Sequence, residues 1–390
     1  MSLQFSTIEK VKLAFRLTCL APWQILASMI QSLVIALSRG LPPRLFVVCA
    51  VIKVILATFS PRQIQYLSSS TRETYKSWVH RRLSKAKRNR DSAVTKRLSY
   101  NIEPLEDGHS SLLWIGDRRK ASKIVLFLHG GGYISPLLPG HLEWCWRSYV
   151  SAGIEMNTEV AVGVLEYTLC PIARYPVQLR QAASALSFLL SHQIRPRDII
   201  VGGDSAGANL TAQLLCHLIK PHPAVQKVTL TEPLAGACLV SPWLTRHTSD
   251  ASYAENACID MLSASIVEKS TRELLGHMDV DEKRRMSANL AFPLDREKDT
   301  FRGMDSVVQQ LYVVVGGHEV FRDQAVAFVH EVERANPRLN VRFDVQGQQA
   351  HDFILLEGQE ERDGDCIQEM RSWMKDILAV GMKNMFKEVE

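Results

Sequence analysis

The stretch IIVGGDSAGANL, residues 199–210, decides the fold of this chain. An apolar run ends at two glycines, and apolar or small residues then recur at positions 206, 210, 214 and 218. This change from a short apolar run to a four-residue period predicts a strand that turns sharply into a helix. Ser205 lies at the turn, between Gly203 and Gly207, in the pattern G-x-S-x-G.

The two glycines explain why a serine lies at this turn. Side chains at Gly203 and Gly207 would collide with neighbouring backbone in so tight a corner, so only hydrogen fits there. Such a turn holds the serine in a strained, exposed conformation at the edge of the sheet, above the start of the helix. We therefore predict that Ser205 is a nucleophile, because G-x-S-x-G between a strand and a helix is typical of a nucleophile elbow.

A glycine-rich loop follows an earlier apolar run, in LFLHGGGY at residues 126–133. Acyl transfer develops negative charge on the former carbonyl oxygen, and preorganised backbone N–H groups stabilise that charge. We expect Gly131, Gly132 and Ala206, the residue after the nucleophile, to supply these N–H groups. His129 is expected to orient the loop rather than to act as a base.

A serine nucleophile needs a base, and the base needs an acid that fixes its tautomer. His351, which follows the predicted strand at 340–345, is the candidate base, with His318 as an alternative. The candidate acid is Glu319, which comes soon after the apolar run LYVVVGG at 311–317. Asp323 is the alternative acid, although we expect it to cap the helix that starts next to it.

Short apolar runs alternate with helical periods from about residue 100 onward. This alternation predicts an α/β fold with a mostly parallel central sheet and helices on both faces. The interval 244–304 is polar and poor in strands, which predicts an insertion that forms part of a helical cap. The predicted strands lie at 123–130, 159–167, 198–203, 235–243, 311–317 and 340–347, and the main helices at 176–192, 206–218 and 322–335.

The N-terminal hundred residues have a different character. The stretch between Arg16 and Arg39 carries no charge and is close to the length that spans a bilayer, whereas the run from Leu45 to Phe59 contains Lys53. The first run starts late and has no convincing cleavage site, which disfavours a signal peptide. We expect membrane insertion or association, with soluble cap helices over a pocket as the alternative. The basic stretch 76–97 is interpreted as a solvated linker or helix face, or as a contact with anionic lipid.

The composition of the chain narrows the classes of function that remain. The 390 residues are 46% hydrophobic and 22% charged, with a formal net charge of +5, which is typical of a globular protein and gives no reason to expect nucleic-acid binding. The eight cysteines show no metal-binding spacing, so no metal is expected. We predict a region 1–100 that is membrane-associated or part of the cap, followed by a catalytic domain 101–390 that contains the 244–304 insertion.

Several motifs together make the chain resemble a known family. HGGGY, GDSAGANL, SPWL, GHEVFRD and HDF occur in the order and rough spacing of the hormone-sensitive-lipase-like group of α/β-hydrolases, over about residues 120–380. The resemblance implies the α/β-hydrolase fold and hydrolysis of a small-molecule carboxylic ester without metal or organic cofactor. It also implies a pocket under a two-part cap, built by the N-terminus and the 244–304 insertion.

The same resemblance assigns roles to individual residues. It makes Ser205 the nucleophile, His351 the base, and the N–H groups of Gly131, Gly132 and Ala206 the oxyanion hole. Glu319 falls where the family usually has an aspartate. The segment LEYTLCPIARYP also departs from the family's usual DYRLAPE element, which weakens expectations about that loop.

The hydrophobic N-terminus is similar to that of membrane-bound arylacetamide deacetylases and fungal steryl acetyl hydrolases. This likeness implies a lipophilic ester as substrate and a place at the endoplasmic reticulum membrane, with a soluble intracellular protein as the alternative. The same triad also serves amidases, thioesterases and acyltransferases, and a hydrolase fold can bind a ligand without catalysis. The sequence leaves these alternatives and the oligomeric state open.

Overall fold

A computed structural model describes residues 5–276, 290–297 and 299–387 of the chain, with side chains as far as residue 380. This part of the chain contains an eight-stranded sheet in the order β1-β2-β4-β3-β5-β6-β7-β8, in which β1 and β2 are antiparallel to their neighbours and the other strands are parallel. The strands are β1 (Ile102–Pro104), β2 (Ser111–Ile115), β3 (Lys123–Leu128), β4 (Val160–Glu166), β5 (Ile199–Asp204), β6 (Gly236–Val240), β7 (Gln310–Gly316) and β8 (Asn340–Gln346).

All six strands expected from the sequence are present, and together they form the parallel part of the sheet. The sequence analysis missed β1 and β2, which extend one edge in the antiparallel sense. β1 has only three residues, and the apolar run in β2 is too short to distinguish a strand from a buried loop by its pattern. The prediction of a mostly parallel sheet is confirmed.

The helices of the described residues flank the sheet and precede it. The three main helices expected from the sequence are present, with ends within one residue of the predicted ones, as α9, α10 and α13. The helices are α1 (Thr7–Phe15), α2 (Ala21–Ser38), α3 (Pro43–Thr58), α4 (Pro61–Leu67), α5 (Thr71–Arg88), α6 (Ser92–Arg97), α7 (Pro139–Cys145), α8 (Ser151–Glu155), α9 (Val177–Ser191), α10 (Ser205–Ile219), α11 (Ala251–Asn256), α12 (Ala264–Leu275), α13 (Arg322–Ala335), α14 (Phe353–Gln359) and α15 (Asp365–Lys387).

Both faces of the sheet are covered by apolar layers, which explains the near-continuous apolar composition of the parallel strands. Alternate residues of β3 point to opposite faces: Leu126 and Leu128 belong to one buried cluster, and Phe127 belongs to the other. The first cluster includes side chains of α9, α10 and α13, and the second includes side chains of α5, α7 and α15. The prediction of an α/β sheet covered on both faces is thus confirmed.

The insertion predicted at 244–304 contains α11 and α12, and its residues 277–289 and 298 lie outside the described residues. It is bonded to the N-terminal helices: Lys269 Nζ donates to the carbonyl oxygens of Leu56 at 2.9 Å and Phe59 at 2.6 Å, and Lys53 Nζ donates to the carbonyl oxygen of Ala257. The N-terminal helices and the insertion are therefore in direct contact. The division of the chain at residue 100 stays a prediction.

The helices α1 and α2 continue into each other through one wider turn at Arg16–Leu20. The resulting helix, Thr7–Ser38, has 32 residues and is long and apolar enough to cross a membrane by length and composition. Only 17% of its most apolar 18-residue window is buried against the rest of the protein. A core helix of this length would be mostly buried, so this helix presents an apolar face outward.

Candidate active site

The turn between β5 and α10 has the geometry that its glycines allow. Ser205 has a φ of +50°, in the left-handed region that a non-glycine residue adopts only under strain. A Cβ atom would lie 2.0 Å from the carbonyl oxygen of Leu128 at Gly203, and 1.9 Å from it at Gly207. Any side chain at either position would therefore displace the backbone at the end of β3.

Two loops bring a histidine and a carboxylate to this serine. Ser205 Oγ lies 2.8 Å from Nε2 of His351, and Nδ1 of His351 lies 3.8 Å from Oε2 of Glu319. Ser205 follows β5, Glu319 follows β7 and His351 follows β8. All three residues therefore lie at the carboxyl ends of parallel strands. The serine–histidine distance is that of a hydrogen bond. The histidine–glutamate distance is longer than a hydrogen bond, as it is in many active sites without bound substrate.

The alternative acid, Asp323, has a different set of partners. Its Oδ2 accepts a hydrogen bond from the backbone N–H of Ser252 at 2.8 Å, and its Oδ1 accepts one from Nε of Arg322 at 2.8 Å. The N–H of Ser252 belongs to the start of α11, whereas Asp323 itself lies at the start of α13. Asp323 therefore does not cap its own helix as expected; it joins α13 to the insertion.

Glu319 is fully buried and held by two donors. Its Oε2 accepts hydrogen bonds from Ser241 Oγ at 2.6 Å and from the backbone N–H of Gly316 at 3.1 Å. Ser241 Oγ also accepts a hydrogen bond from the backbone N–H of Asp352 at 3.2 Å. Ser241, which follows β6, thereby connects the carboxylate with the backbone next to His351.

A second carboxylate, that of Asp260, accepts hydrogen bonds from the backbone of both loops that carry Glu319 and His351. Asp260, in the insertion, accepts hydrogen bonds from the backbone N–H groups of Val320 at 2.8 Å, His351 at 3.2 Å and Met261 at 2.7 Å. Burial raises its pKa to about 6, although His351 and these N–H groups work in the opposite direction. Asp260 thus joins the cap to the two loops that carry Glu319 and His351.

The electrostatic surroundings of His351 favour its charged form. Burial alone would lower the pKa of His351, but the nearby carboxylates of Asp352, Glu319 and Asp260 raise it above its ordinary value. The nearest of these contacts joins Asp352 Oδ2 to Nε2 of His351 at 3.3 Å. Burial also raises the pKa of Asp352 strongly. Nε2 of His351 therefore has two neighbours, Ser205 Oγ at 2.8 Å and the Asp352 carboxyl group at 3.3 Å.

The glycine loop after β3 is fixed by the residue that precedes the serine. Asp204 accepts a hydrogen bond from the backbone N–H of Gly130 at 3.0 Å and lies 3.1 Å from Nε2 of His141. Gly131 and Gly132 have φ values of +101° and +61°, and a Cβ at Gly131 would lie 2.9 Å from the side chain of Ser135. The loop conformation therefore requires glycine and leaves bare backbone beside the serine.

Two of the three predicted oxyanion donors line the cavity, and the third, Ala206, directly follows Ser205. Gly131 and Gly132 line the same cavity as Ser205 and His351. Ala206 is the second residue of α10, so its N–H belongs to the first turn of the helix, where N–H groups have no partner within the helix. The structure thus brings together the six residues that the sequence singled out, at one end of the sheet.

The two remaining histidine candidates are placed elsewhere. His129 is buried, with Nδ1 2.8 Å from the carbonyl oxygen of Gly130, and its ring stacks on Tyr167 at 4.4 Å. Burial lowers the pKa of His129 to about 4, so it stays neutral in the loop. The ring of His318 contacts Phe46 of α3, and its pKa is lowered mainly by burial. In this geometry His351 is the histidine that contacts Ser205.

The cavity above Ser205 has a volume of about 450 Å³. One wall consists of Val48, Ile52, Ile55 and Leu56 from α3, and another comes from the insertion. Most of the lining is apolar, and Ser205, His351 and Asp352 are among its polar residues. The insertion contributes Met261, Leu262, Ile266, Val267 and Ser270 to the lining.

Four aromatic residues that follow the glycine loop or β6 in the sequence divide into two groups. Trp243, at the end of the β6 segment, lines the cavity. Trp144, Trp146 and Tyr149 are buried in the cluster on the other side of the sheet and do not line it. Their helical spacing therefore reflects core packing.

The sequence analysis gave no role to Asp204, Ser241, Asp260, His141 or Asp352. Asp204 and Asp352 are direct neighbours of Ser205 and His351 in the motifs GDSAGANL and HDF, so their positions in the motifs were visible. Ser241 belongs to the motif SPWL. Asp260 and His141 reach the site only through contacts between distant segments, which no local pattern reveals.

Comparisons with known proteins show what the chain as a whole is similar to. A family model described as the alpha/beta hydrolase fold matches residues 125–355. An acetyl-hydrolase of Streptomyces hygroscopicus is 28% identical over 225 residues, which cover 56% of this chain and 65% of that protein. An arylacetamide deacetylase of Oryctolagus cuniculus is 29% identical over 157 residues, or 37% of this chain and 35% of that protein. For each of these two relatives, the match thus covers less than two thirds of the relative's own length.

Solved structures show the same fold. A crystal structure of an esterase from the bacterial hormone-sensitive lipase family aligns over 86% of this chain and 98% of its own, with a TM-score of 0.57 and 21% identity. A structure from a study of two fungal esterases from Rhizomucor miehei aligns over 85% of this chain and 96% of its own, with a TM-score of 0.59 and 17% identity. Since the family model covers more than half of the chain, the chain belongs to the α/β-hydrolase family, in its hormone-sensitive-lipase-like group.

Proposed function

We propose that the protein is a serine carboxylester hydrolase. The observation that carries the proposal is the chain of contacts from Ser205 Oγ, which lines the cavity, through the imidazole of His351 to the buried Glu319. In this proposal Ser205 is the nucleophile, His351 the general base and Glu319 the acid that orients it. A strained, positive φ at Ser205 supports the assignment, because a protein that only binds a ligand has no need of it.

The reaction proceeds in two acyl transfers. Ser205 Oγ attacks the ester carbonyl carbon while Nε2 of His351 accepts its proton, and the oxyanion is stabilised by the N–H groups of Gly131, Gly132 and Ala206. The imidazolium then donates that proton to the leaving alcohol, which gives an acyl-serine. Water attacks the acyl-serine with His351 again as the base, and the acid and free Ser205 are released.

The apolar cavity supports a lipophilic small-molecule ester as the substrate. Side chains of α3 and of the insertion present aliphatic surface to an acyl or alcohol chain in the cavity that Ser205 lines. The similarity to an acetyl-hydrolase and an arylacetamide deacetylase favours a short acyl group on a larger apolar alcohol or amine. We also propose that the protein is membrane-associated, at the endoplasmic reticulum.

The direct test of the proposed function compares Ser205→Ala with Ser135→Ala. Both serines line the cavity, but only Ser205 contacts His351. With a short-chain nitrophenyl ester, Ser205→Ala should lower kcat by at least about ten-thousandfold, because no acyl-enzyme forms. Ser135→Ala should stay within about tenfold of the unaltered protein. Ester turnover retained by a folded Ser205→Ala variant would refute the proposal.

A further inference from the structure

The long N-terminal helix, Thr7–Ser38, has two opposite faces. Trp23, Leu26, Ile30, Val34 and Leu37 follow one another at helical spacing and are all at least half exposed, with 74% of Trp23 accessible. On the opposite side, the small residues Ala21, Ser32 and Ala36 are buried. This part of the helix thus packs on the protein through small side chains and presents a stripe of large apolar ones outward, and a contiguous exposed apolar surface of this kind is typical of an interaction site.

Both ends of the apolar segment are bonded to the same folded body. Arg16 Nη1 donates to Gln63 Oε1 at 2.8 Å and to the carbonyl oxygen of Thr58 at 3.0 Å. At the other end, both Nη atoms of Arg39 lie 3.3 Å from the carbonyl oxygen of Glu255.

The length of this segment decides whether it can cross a bilayer while both ends stay bonded. It is about 35 Å long, which exceeds the hydrocarbon thickness of about 30 Å. A helix crossing the bilayer would place the partners of Arg16 and Arg39 on opposite sides of it. Those partners belong to one folded body, so a crossing would break the contacts at one end.

The charges around the helix suit an anionic lipid surface. Residues 1–72 contain eight lysines and arginines but a single carboxylate, Glu9. Lys10, Lys12 and Arg39 are exposed at the two ends of the apolar stripe. Cations at the ends of an outward apolar face are typical of helices that lie in the plane of the headgroups.

The catalytic cavity lies on the other side of the neighbouring helix. α3 packs along α2 and lines the cavity with Val48, Ile52, Ile55 and Leu56. Val48 and Ile55 are also partly exposed, as is Leu138 on the glycine-loop side of the cavity. The rim of the cavity is therefore apolar and belongs to the same helical layer as the exposed stripe.

We propose that Thr7–Ser38 lies flat on an anionic lipid bilayer and does not cross it, so that the cavity receives its substrate from the membrane. The stripe from Trp23 to Leu37 enters the boundary between headgroups and acyl chains, and the flanking cations contact the headgroups. An ester dissolved in the membrane then reaches Ser205 along the apolar rim. The last step rests on the proposed hydrolase function, whereas the flat docking does not.

Vesicle binding of the full chain tests the docking. The variant Leu26→Gln/Ile30→Gln/Val34→Gln alters the stripe, and the matched control Ile172→Gln/Val326→Gln/Val345→Gln alters three exposed apolar residues elsewhere. The stripe variant should lose at least about tenfold in partitioning to vesicles of phosphatidylcholine with phosphatidylserine, and the control should not. Equal binding of the two variants, or a stable dimer in solution that hides the stripe, would overturn the proposal.

Cysteine labelling distinguishes a flat helix from a crossing one. Lys12→Cys and Ser38→Cys are made separately in a full chain that lacks the two non-buried cysteines, Cys19 and Cys258, and is synthesised with sealed microsomes. A membrane-impermeant maleimide should treat the two positions alike, with both reacting or both protected before detergent is added. Reaction at one position and protection at the other would show a crossing helix and overturn the proposal.

Turnover separates a failure of docking from a failure of the proposed function. The stripe variant should hydrolyse a water-soluble nitrophenyl ester at the rate of the unaltered protein. With a lipophilic ester embedded in anionic vesicles it should lose at least about tenfold in rate. If the stripe variant keeps full rate on the embedded ester, substrate does not come from the membrane. If neither ester is turned over by the unaltered protein, the hydrolase proposal fails while the binding and labelling results still decide the docking.

Discussion

At the scale of single residues, the candidate site depends on how a few carboxylates share one histidine. Glu319 lies at Nδ1 of His351, Asp352 lies at Nε2, and Asp260 holds the backbone of His351. Only Glu319 is placed to fix the tautomer that presents a bare Nε2 to Ser205. The three carboxylates therefore have different expected effects on catalysis.

The assignment of the acid predicts different results for two conservative substitutions. Glu319→Gln should lower kcat by roughly a thousandfold or more, because an amide holds His351 less firmly in the required tautomer. Asp323→Asn should lower it by less than about tenfold, because Asp323 bonds to Ser252 and Arg322. Steady-state kinetics with a nitrophenyl ester measures both. A large loss in Asp323→Asn alone would reverse the assignment.

The contact between Asp352 and His351 predicts a change in pH dependence. His351 must be neutral to accept the serine proton, and the Asp352 carboxylate raises the pKa of His351, so the active base form appears only at higher pH. Asp352→Asn removes that charge and lowers the pKa. The acid limb of kcat/KM against pH should therefore move to lower pH, while Asp323→Asn leaves it in place. An unchanged limb, or one moved upward, in Asp352→Asn would contradict this account.

At the scale of elements, the turn between β5 and α10 requires glycine for steric reasons. A Cβ at Gly207 would overlap the carbonyl oxygen of Leu128, whereas a Cβ at Gly163 in β4 would meet only ordinary contacts at 3.5 Å. Gly207→Ala should therefore lower the free energy of unfolding by about 3 kcal/mol or more, and the control Gly163→Ala by less than about 1 kcal/mol. Denaturant unfolding measures both, and equal losses would show that the elbow is not tightly constrained.

The helix α3 is expected to limit the size of the substrate. Ile52 lines the cavity, so Ile52→Trp should fill part of it and lower kcat/KM for long-chain nitrophenyl esters by about tenfold relative to the acetate. Ala57→Trp, on the exposed side of the same helix, should leave that ratio unchanged. A chain-length preference that Ile52→Trp does not alter would mean that the acyl chain lies elsewhere.

At the scale of the whole molecule, local patterns were sufficient for the parallel sheet and the three loops that carry the site. Apolar runs with glycines at their ends located β3, β5 and β7, and the elbow motif located Ser205. The strands β1 and β2 were not predicted because their apolar runs are short. Asp260 and His141 escaped because only folding brings them to the site. The prediction that Asp323 caps its own helix was wrong, because a carboxylate can also accept a hydrogen bond from the start of a helix that is distant in sequence.

The N-terminal region has features of both structures that the sequence suggested for it, a membrane-associated segment and a set of cap helices. The sequence left membrane association and cap helices as alternatives, and the described structure contains features of both. α3 forms a wall of the cavity, while the helix before it exposes an apolar stripe. The sequence showed only the length and the lack of charge of the first apolar run. The contacts at Arg16 and Arg39 are needed to argue how the first helix meets a membrane.

The most direct test of the central claim is to map the residue that a fluorophosphonate probe modifies, by mass spectrometry of the full chain. An activated serine reacts with such a probe, because a neighbouring base takes its proton. The account predicts a single adduct on Ser205 that His351→Ala abolishes and Ser135→Ala leaves unchanged. Absence of an adduct on Ser205, or an adduct that persists in folded His351→Ala, would contradict it.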